Sequence, residues 1–144
     1  MSDSARQTER NKATALSYIH DGIGAQDTSV FRYFREDARF WQNGQKLGTA
    51  GYHDMKELAE LTPKAMGKFP NGMNFEILTV TAEENRVLIE SESHAVLANG
   101  TPYNNQYVFA FYFDEAGKIL EFREYWDPLY AYETMFEGRT ELVE

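Results

Sequence analysis

A chain of 144 residues, 42% apolar and 15% aromatic, carries enough apolar surface for one packed core, and disorder is excluded. Its 14 basic residues face 23 acidic ones, a formal charge of −9, so neither nucleic acid nor an anionic membrane surface is an expected partner. Without cysteine there is no disulfide, thiolate zinc site or cysteine nucleophile.

The polar stretch Met1 to Lys12 lacks the apolar centre of a secretory signal. No apolar run approaches the roughly 18 residues of a membrane span, so a cytoplasmic location is the default expectation. No repeat or linker divides the chain, and one domain over residues 1–144 is expected.

Ser4 followed by Gln7 reads as a capping box, after which Ala15, Leu16, Ile19 and Ile23 recur at helical spacing. Gly22 and Gly24 end that helix. Asp27 to Ser29 offer N-cap chemistry for a short second helix with Val30, Phe31 and Phe34. Ala38 to Gln42 reads as a strand, and Asn43-Gly44 signals a tight hairpin into Gln45 to Leu47. A third helix begins near Tyr52 and uses Met55, Leu58, Ala59 and Met66, with Pro63 kinking or ending its first part.

Beyond Phe69-Pro70-Asn71-Gly72 the period changes from helical to alternating. Strands are predicted at about Met73–Ala82, Arg86–Leu97, Tyr103–Asp114 and Lys118–Asp127, joined by turns short enough for antiparallel hairpins. Pro128 stops the last strand, and Leu129 to Phe136 forms a terminal helix. Helices first and a meander afterwards predict an α+β fold with the helices on one face of an antiparallel sheet.

Alternation divides each strand into two faces. On the last strand Leu120, Phe122, Glu124 and Trp126 share an apolar face with one acid in it. Ile119, Glu121, Arg123, Tyr125 and Asp127 share the other. A buried carboxylate must be paired, hydrogen-bonded or protonated, so Glu124 is either a structural acid or a functional one. The strand before it places Asn105, Tyr107, Phe109, Phe111 and Phe113 together as an interior face. The strand before that is ambiguous. Alternation favours Val87, Ile89, Ser91 and Ser93 inside, with Glu90, Glu92 and His94 solvated; the opposite facing would bring those three to Glu124.

The order of elements resembles the SnoaL-like and ketosteroid-isomerase-like branch of the nuclear transport factor superfamily. So does the run from Tyr18 to Asp27, followed by Phe34-Arg35-Glu36-Asp37-Ala38. Tyr103-Asn104-Asn105-Gln106-Tyr107, Gly117-Lys118-Ile119 and Arg123-Glu124-Tyr125-Trp126-Asp127-Pro128 are similar to the phenazine-biosynthesis PhzA/PhzB proteins. The resemblance implies a curved sheet, four long strands plus a short N-terminal hairpin, wrapped around three N-terminal helices with a cone-shaped pocket. It implies that Phe122, Glu124 and Trp126 point into that pocket, and it overturns the alternation by placing Glu90, Glu92 and His94 there too.

Carried over residue by residue, the resemblance gives no intact constellation. Tyr18 stands where a ketosteroid isomerase has its oxyanion-donating tyrosine, but Gln42 replaces the general base and Phe109 the second donor. The Asp-Arg-Asp set of limonene-epoxide hydrolase falls on Glu92, Glu90 and Glu124. The phenazine proteins' acid is Glu124, while their histidine and serine fall on Leu61 and Ala65. The acid-base aspartate of SnoaL-like cyclases again falls on Phe109.

The expected catalytic set is therefore Glu124 as acid-base group, His94 and Glu92 tuning it, and Tyr18 as electrophilic donor. Glu90, Tyr107, Phe109, Phe122, Trp126 and Gln42 are expected to contact substrate. Clustered carboxylates do not all ionise cheaply, so proton transfer beside a carbonyl is the expected chemistry, without a cofactor. A divalent metal on the acids and His94 is the minor alternative; His20 and His53 are expected on the surface. Arg123, Tyr125 and Asp127 with Tyr112 and Gln106 suit a two-fold dimer through the outer sheet face. The rival reading is a non-catalytic domain that binds a small apolar ligand or serves only to dimerise.

Overall fold

The computed structural model describes residues 2–142. Helix α1 (Asp3–Ser17) is capped by Ser2, whose hydroxyl accepts from the Ala5 amide, two residues before the expected cap at Ser4. The helix continues as a π-helical segment, Tyr18–Gly24. The wider turn brings Tyr18, Ile19 and Gly22 inward together with Ala15. Gly24 ends the segment because the chain crosses it closely. A Cβ there would lie 2.7 Å from the Met73 carbonyl oxygen, and the Met73 amide donates to Gly24 at 2.9 Å. A 3₁₀ turn, Thr28–Tyr33, follows its Asp27 cap.

Strand β1 (Phe34–Gln42) starts four residues before the predicted Ala38, and β2 (Gly51–Asp54) lies well beyond the predicted Gln45–Leu47. The tight Asn43-Gly44 hairpin does not form. Asn43 instead accepts from the Trp126 amide at 3.0 Å and donates to the Trp126 carbonyl at 3.2 Å, so its side chain extends the edge of another strand. The chain reverses through a longer loop, 43–50, before β2 pairs with β1. Helix α2 (Met55–Met66) opens with a capping box between Asp54 and Glu57. Tyr52 therefore belongs to β2, and α2 runs through Pro63 without ending there.

The remaining strands are β3 (Asn74–Glu83), β4 (Arg86–Val96), β5 (Pro102–Tyr103), β6 (Gln106–Phe113) and β7 (Ile119–Trp126), followed by α3 (Pro128–Glu133). The sheet order is β2-β1-β7-β6-β4-β3, with β5 on β4. All pairings are antiparallel except one: β1 runs parallel to β7, a mixed sheet where an antiparallel one was expected. The predicted strand from Tyr103 is broken at Asn104-Asn105. The Asn105 side chain replaces the ladder there, donating to the Tyr103 hydroxyl and accepting from the Gln106 and Asp127 amides.

The sheet is strongly curled, a half-barrel with the N-terminal helices packed inside it. Ile19, Val87, Ile89, Phe109, Phe111 and Phe122 fill its interior at 0–1% exposure. In β7 the strict alternation fails once. Phe113 pairs with Ile119 and Tyr112 with Glu121, so Leu120 is the extra residue of a bulge. Ile119 is fully buried and Leu120 only half-buried, the reverse of the predicted facing.

Candidate active site

The concave face of the sheet and the inner faces of the helices leave a narrow cavity, part of it open to solvent. Strand β7 aims Phe122, Glu124 and Trp126 into it, and β1 adds Phe40 and Gln42. Tyr103 and Tyr107 come from β5 and β6. Tyr18 and Ile23 enter from the π-helical segment, and Leu58, Leu61 and Met66 form the α2 wall. Met135, Phe136 and Leu142 close it from the C-terminal segment.

Glu124 is the one carboxylate among the residues lining this cavity. It is half-buried, and desolvation pushes its pKa from 4.5 up to about 7, against a hydrogen bond from Gln42 that lowers it. The parallel pairing of β1 and β7 sets Gln42 beside Glu124, and the Gln42 amide donates to Glu124 Oε2. The Gln42 carbonyl accepts from the Thr49 hydroxyl at 2.6 Å. Glu124 is therefore held on one oxygen while its residue keeps a share of open surface.

Three phenols surround the acid. The Tyr18 ring is 2% exposed, wedged edge-on against Phe34 and Phe122 at 5.1 Å. Its hydroxyl has no hydrogen-bond partner among the described residues. Burial raises its pKa, and the Glu124 charge raises it further. Tyr107 and Tyr103 are likewise raised, chiefly by burial, and both feel the Glu124 charge. The two bond to each other, hydroxyl to hydroxyl, at 3.4 Å. All three phenols remain protonated donors at neutral pH.

The outer strands do not deliver the other predicted residues. Val87, Ile89, Ser91 and Ser93 of β4 face inward at 0–1% exposure, so Glu90, Glu92 and His94 lie on the convex face. The inward serines are satisfied by main chain: the Ser91 hydroxyl donates to the Glu76 carbonyl at 2.8 Å, and the Ser93 hydroxyl accepts from the Asn105 amide at 3.0 Å. Alternation was right for this strand, and the facing implied by family resemblance is overturned. The cluster of Glu90, Glu92, His94 and Glu124 does not exist. Glu90 accepts from Thr79 at 2.7 Å on the outside.

Phe109 is a second correction. It is fully buried, stacks on Tyr107 at 4.9 Å and does not line the cavity. Gln42, Tyr107, Phe122 and Trp126 do line it as expected. Trp126 gives its indole N–H to the Asn43 carbonyl, so it supplies a wall and no donor. His20 is exposed as predicted, but His53 is half-buried, packs against Phe40 and bonds the Thr49 carbonyl at 2.8 Å.

Tyr103 and Thr49 are site residues that alternation along the strands missed. Tyr103 sits in the two-residue β5 and Thr49 in a loop, where no period reveals facing. The grouping with metal-ligand spacing among the described residues is Glu76, Glu92 and His94, whose ligand atoms lie within 4.8 Å of one another. It is on the convex face, across the sheet from Glu124, and such exposed acids are common without an ion.

A sequence model of the SnoaL-like domain matches residues 16–122. The chain belongs to the SnoaL-like domain family. The match stops two residues short of Glu124. Solved structures agree on this fold. A nuclear-transport-factor-like (NTF2-like) protein from Anabaena variabilis ATCC 29413 superposes with TM-score 0.76 at 22% identity, covering 88% of this chain and 94% of its own. PrhC from Penicillium brasilianum NBRC 6234 gives 0.78 at 17% identity, covering 90% and 88%. An LEH-like epoxide hydrolase from M. tuberculosis gives 0.68 at 15%, covering 91% and 92%. No curated protein matches the sequence. Within the SnoaL-like family the fold is common ground, and the side chains in the cone must decide the chemistry.

Proposed function

We propose that this SnoaL-like protein is an acid-base enzyme that moves a proton next to the carbonyl of a small hydrophobic compound, as an isomerase, dehydratase or cyclase does. The observation that carries the reading is Glu124: a carboxyl whose pKa is pushed up to about 7, in an apolar cavity it shares with an unpartnered Tyr18 hydroxyl. At neutral pH such an acid is close to half ionised, so it accepts a proton and returns it without a large free-energy step.

In the proposed step Glu124 takes a proton from the carbon beside the carbonyl. The C–H electron pair forms the enolate double bond, and the carbonyl oxygen gains the charge. Tyr18, kept protonated by burial, donates a hydrogen bond to that oxygen. Glu124 then returns the proton to the same or another carbon. The chemistry needs no bound cofactor. The apolar walls from α2 and the C-terminal segment favour a compact hydrophobic substrate over a charged one.

The test is hydrogen–deuterium exchange at the α-carbon of a panel of cyclic and aromatic ketones, followed by proton NMR. Exchange above buffer that vanishes in Glu124→Gln supports the enzyme. Ligands that bind in the cavity with no exchange at any pH from 5 to 9 would establish the rival, a non-catalytic pocket domain. We also propose that two copies pair through the outer sheet face. Arg123 lies there over the Trp41 ring at 4.0 Å and donates to the Tyr52 and Tyr125 hydroxyls.

A further inference from the structure

A second cavity abuts the one that holds Glu124. Tyr18, Ile23, Thr62 and Met66 line both, so a single layer of side chains stands between them. Beyond that layer the walls are Val30 and Phe31 of the 3₁₀ turn and Pro63 of α2, with the exposed Gln26, Asp27 and Thr28 at the rim.

The backbone frames this space. It lies between the π-helical segment and α2, and Gln26 ties the two together. Gln26 has φ of 60°, in the left-handed region that residues other than glycine adopt reluctantly. From that turn its side chain reaches the end of α2, where Nε2 donates to the Met66 carbonyl at 3.2 Å and the Phe69 carbonyl at 2.9 Å. Main-chain carbonyls only accept, so this amide has one orientation and the walls are held at a set distance.

Polar groups around the space are engaged elsewhere. The Thr62 hydroxyl donates to the Leu58 carbonyl at 2.8 Å, and the Asp27 carboxylate accepts from the Ser29 amide at 2.9 Å. The walls themselves are apolar, and an acid at the rim disfavours an anionic occupant. Met66 is the movable member of the dividing layer. Its unbranched chain has three rotatable bonds and is half-buried, whereas Tyr18 is wedged between Phe34 and Phe122.

We propose that the second cavity is a subsite of the first: Glu124 and Tyr18 hold the carbonyl end of the substrate, and an unbranched or flat apolar extension passes Met66 to lie against Val30, Phe31 and Pro63. This rests on the proton-transfer reading of Glu124 and narrows its substrate class to a compact carbonyl end that carries a neutral apolar tail.

The test is the affinity of 2-alkanones, from 2-butanone to 2-decanone, measured by NMR titration. Each methylene that leaves water for an apolar space strengthens binding by up to about fourfold, so wild-type affinity should keep rising through the series. Thr28→Trp fills the space from its rim, and Pro63→Trp fills it from α2; neither residue lines the first cavity. Both variants should end the rise after the short ketones. They should weaken 2-decanone by about tenfold or more and leave 2-butanone within about twofold. Circular dichroism confirms folding, and the two substitutions lie on different elements, so one variant that fails to fold leaves the other.

A wild-type series that levels off at the short ketones overturns the proposal, as does the absence of binding by every 2-alkanone. So does a folded blocking variant that binds 2-decanone like the wild type, or that weakens short and long ketones alike. Binding needs no turnover. A full length series without α-proton exchange in any ketone would sink the enzyme reading and leave the subsite, and a levelled series with exchange intact would do the reverse.

Discussion

Both faces of this sheet carry glutamate, with different chemistry on each. On the convex face Glu76, Glu90, Glu92 and His94 stand in or near water, and Glu90 is tied to a threonine of the next strand. On the concave face a single glutamate, surrounded by aromatic rings and one amide, has its pKa pushed up to about 7. Burial, and not the number of acids, gives Glu124 its altered proton affinity. An acidic cluster was expected to do this by mutual repulsion; one partly desolvated acid does it alone.

The hardest blow to this contrast is Glu124→Gln. It should lower proton-exchange activity by about 10²–10⁴-fold, the range of a lost general base, while leaving ligand affinity within a few-fold; a variant as active as the wild type removes Glu124 from the mechanism. The same variant sharpens the contrast through stability. An acid with a folded-state pKa near 7 against 4.5 carries no penalty below pH 4.5. The penalty builds as pH rises from 4.5 to about 7 and is complete above that. Glu124→Gln should therefore be more stable than the wild type at pH 8 by up to about 3 kcal/mol, and by much less at pH 5, as read by urea unfolding.

Tyr18→Phe removes the unpartnered hydroxyl and should cost about 10²-fold in kcat, with the ring contacts and the fold kept. A KM effect without a kcat effect would reduce Tyr18 to a wall. On the other face, Glu90→Gln, Glu92→Gln and His94→Ala together should change kcat by less than about twofold. A larger loss would mean that the convex side reaches the reaction after all.

Much of the fold was legible because hydrophobic period is a direct consequence of burial. Three of the four long strands fall within one residue of their predicted bounds, the strand predicted from Tyr103 starts three residues late, and the concave placing of Phe122, Glu124 and Trp126 follows from alternation. The failures have local physical causes. The Asn43-Gly44 hairpin lost to an asparagine side chain that found better partners on Trp126. Ile119 changed face at a bulge, which no alternation can foresee. At β4 alternation placed Ser91 and Ser93 inside, where each is satisfied by main chain, and family analogy pointed to the wrong side. Thr49 was invisible because its role depends on a loop whose path is fixed only by the tertiary fold.

The parallel seam between β1 and β7 has a consequence for how the protein comes into being. Gln42 and Glu124 are separated by 82 positions, and β1 finds its inner neighbour only once the last strand exists. Closing so long a loop is slow relative to hairpin formation. During synthesis the β3 to β6 meander can assemble while the amino-terminal hairpin waits unattached. The contact between Gln42 and Glu124 thus forms late, and a nascent chain halted before Ile119 would hold the α2 wall of the cavity but no acid for the Gln42 amide to donate to.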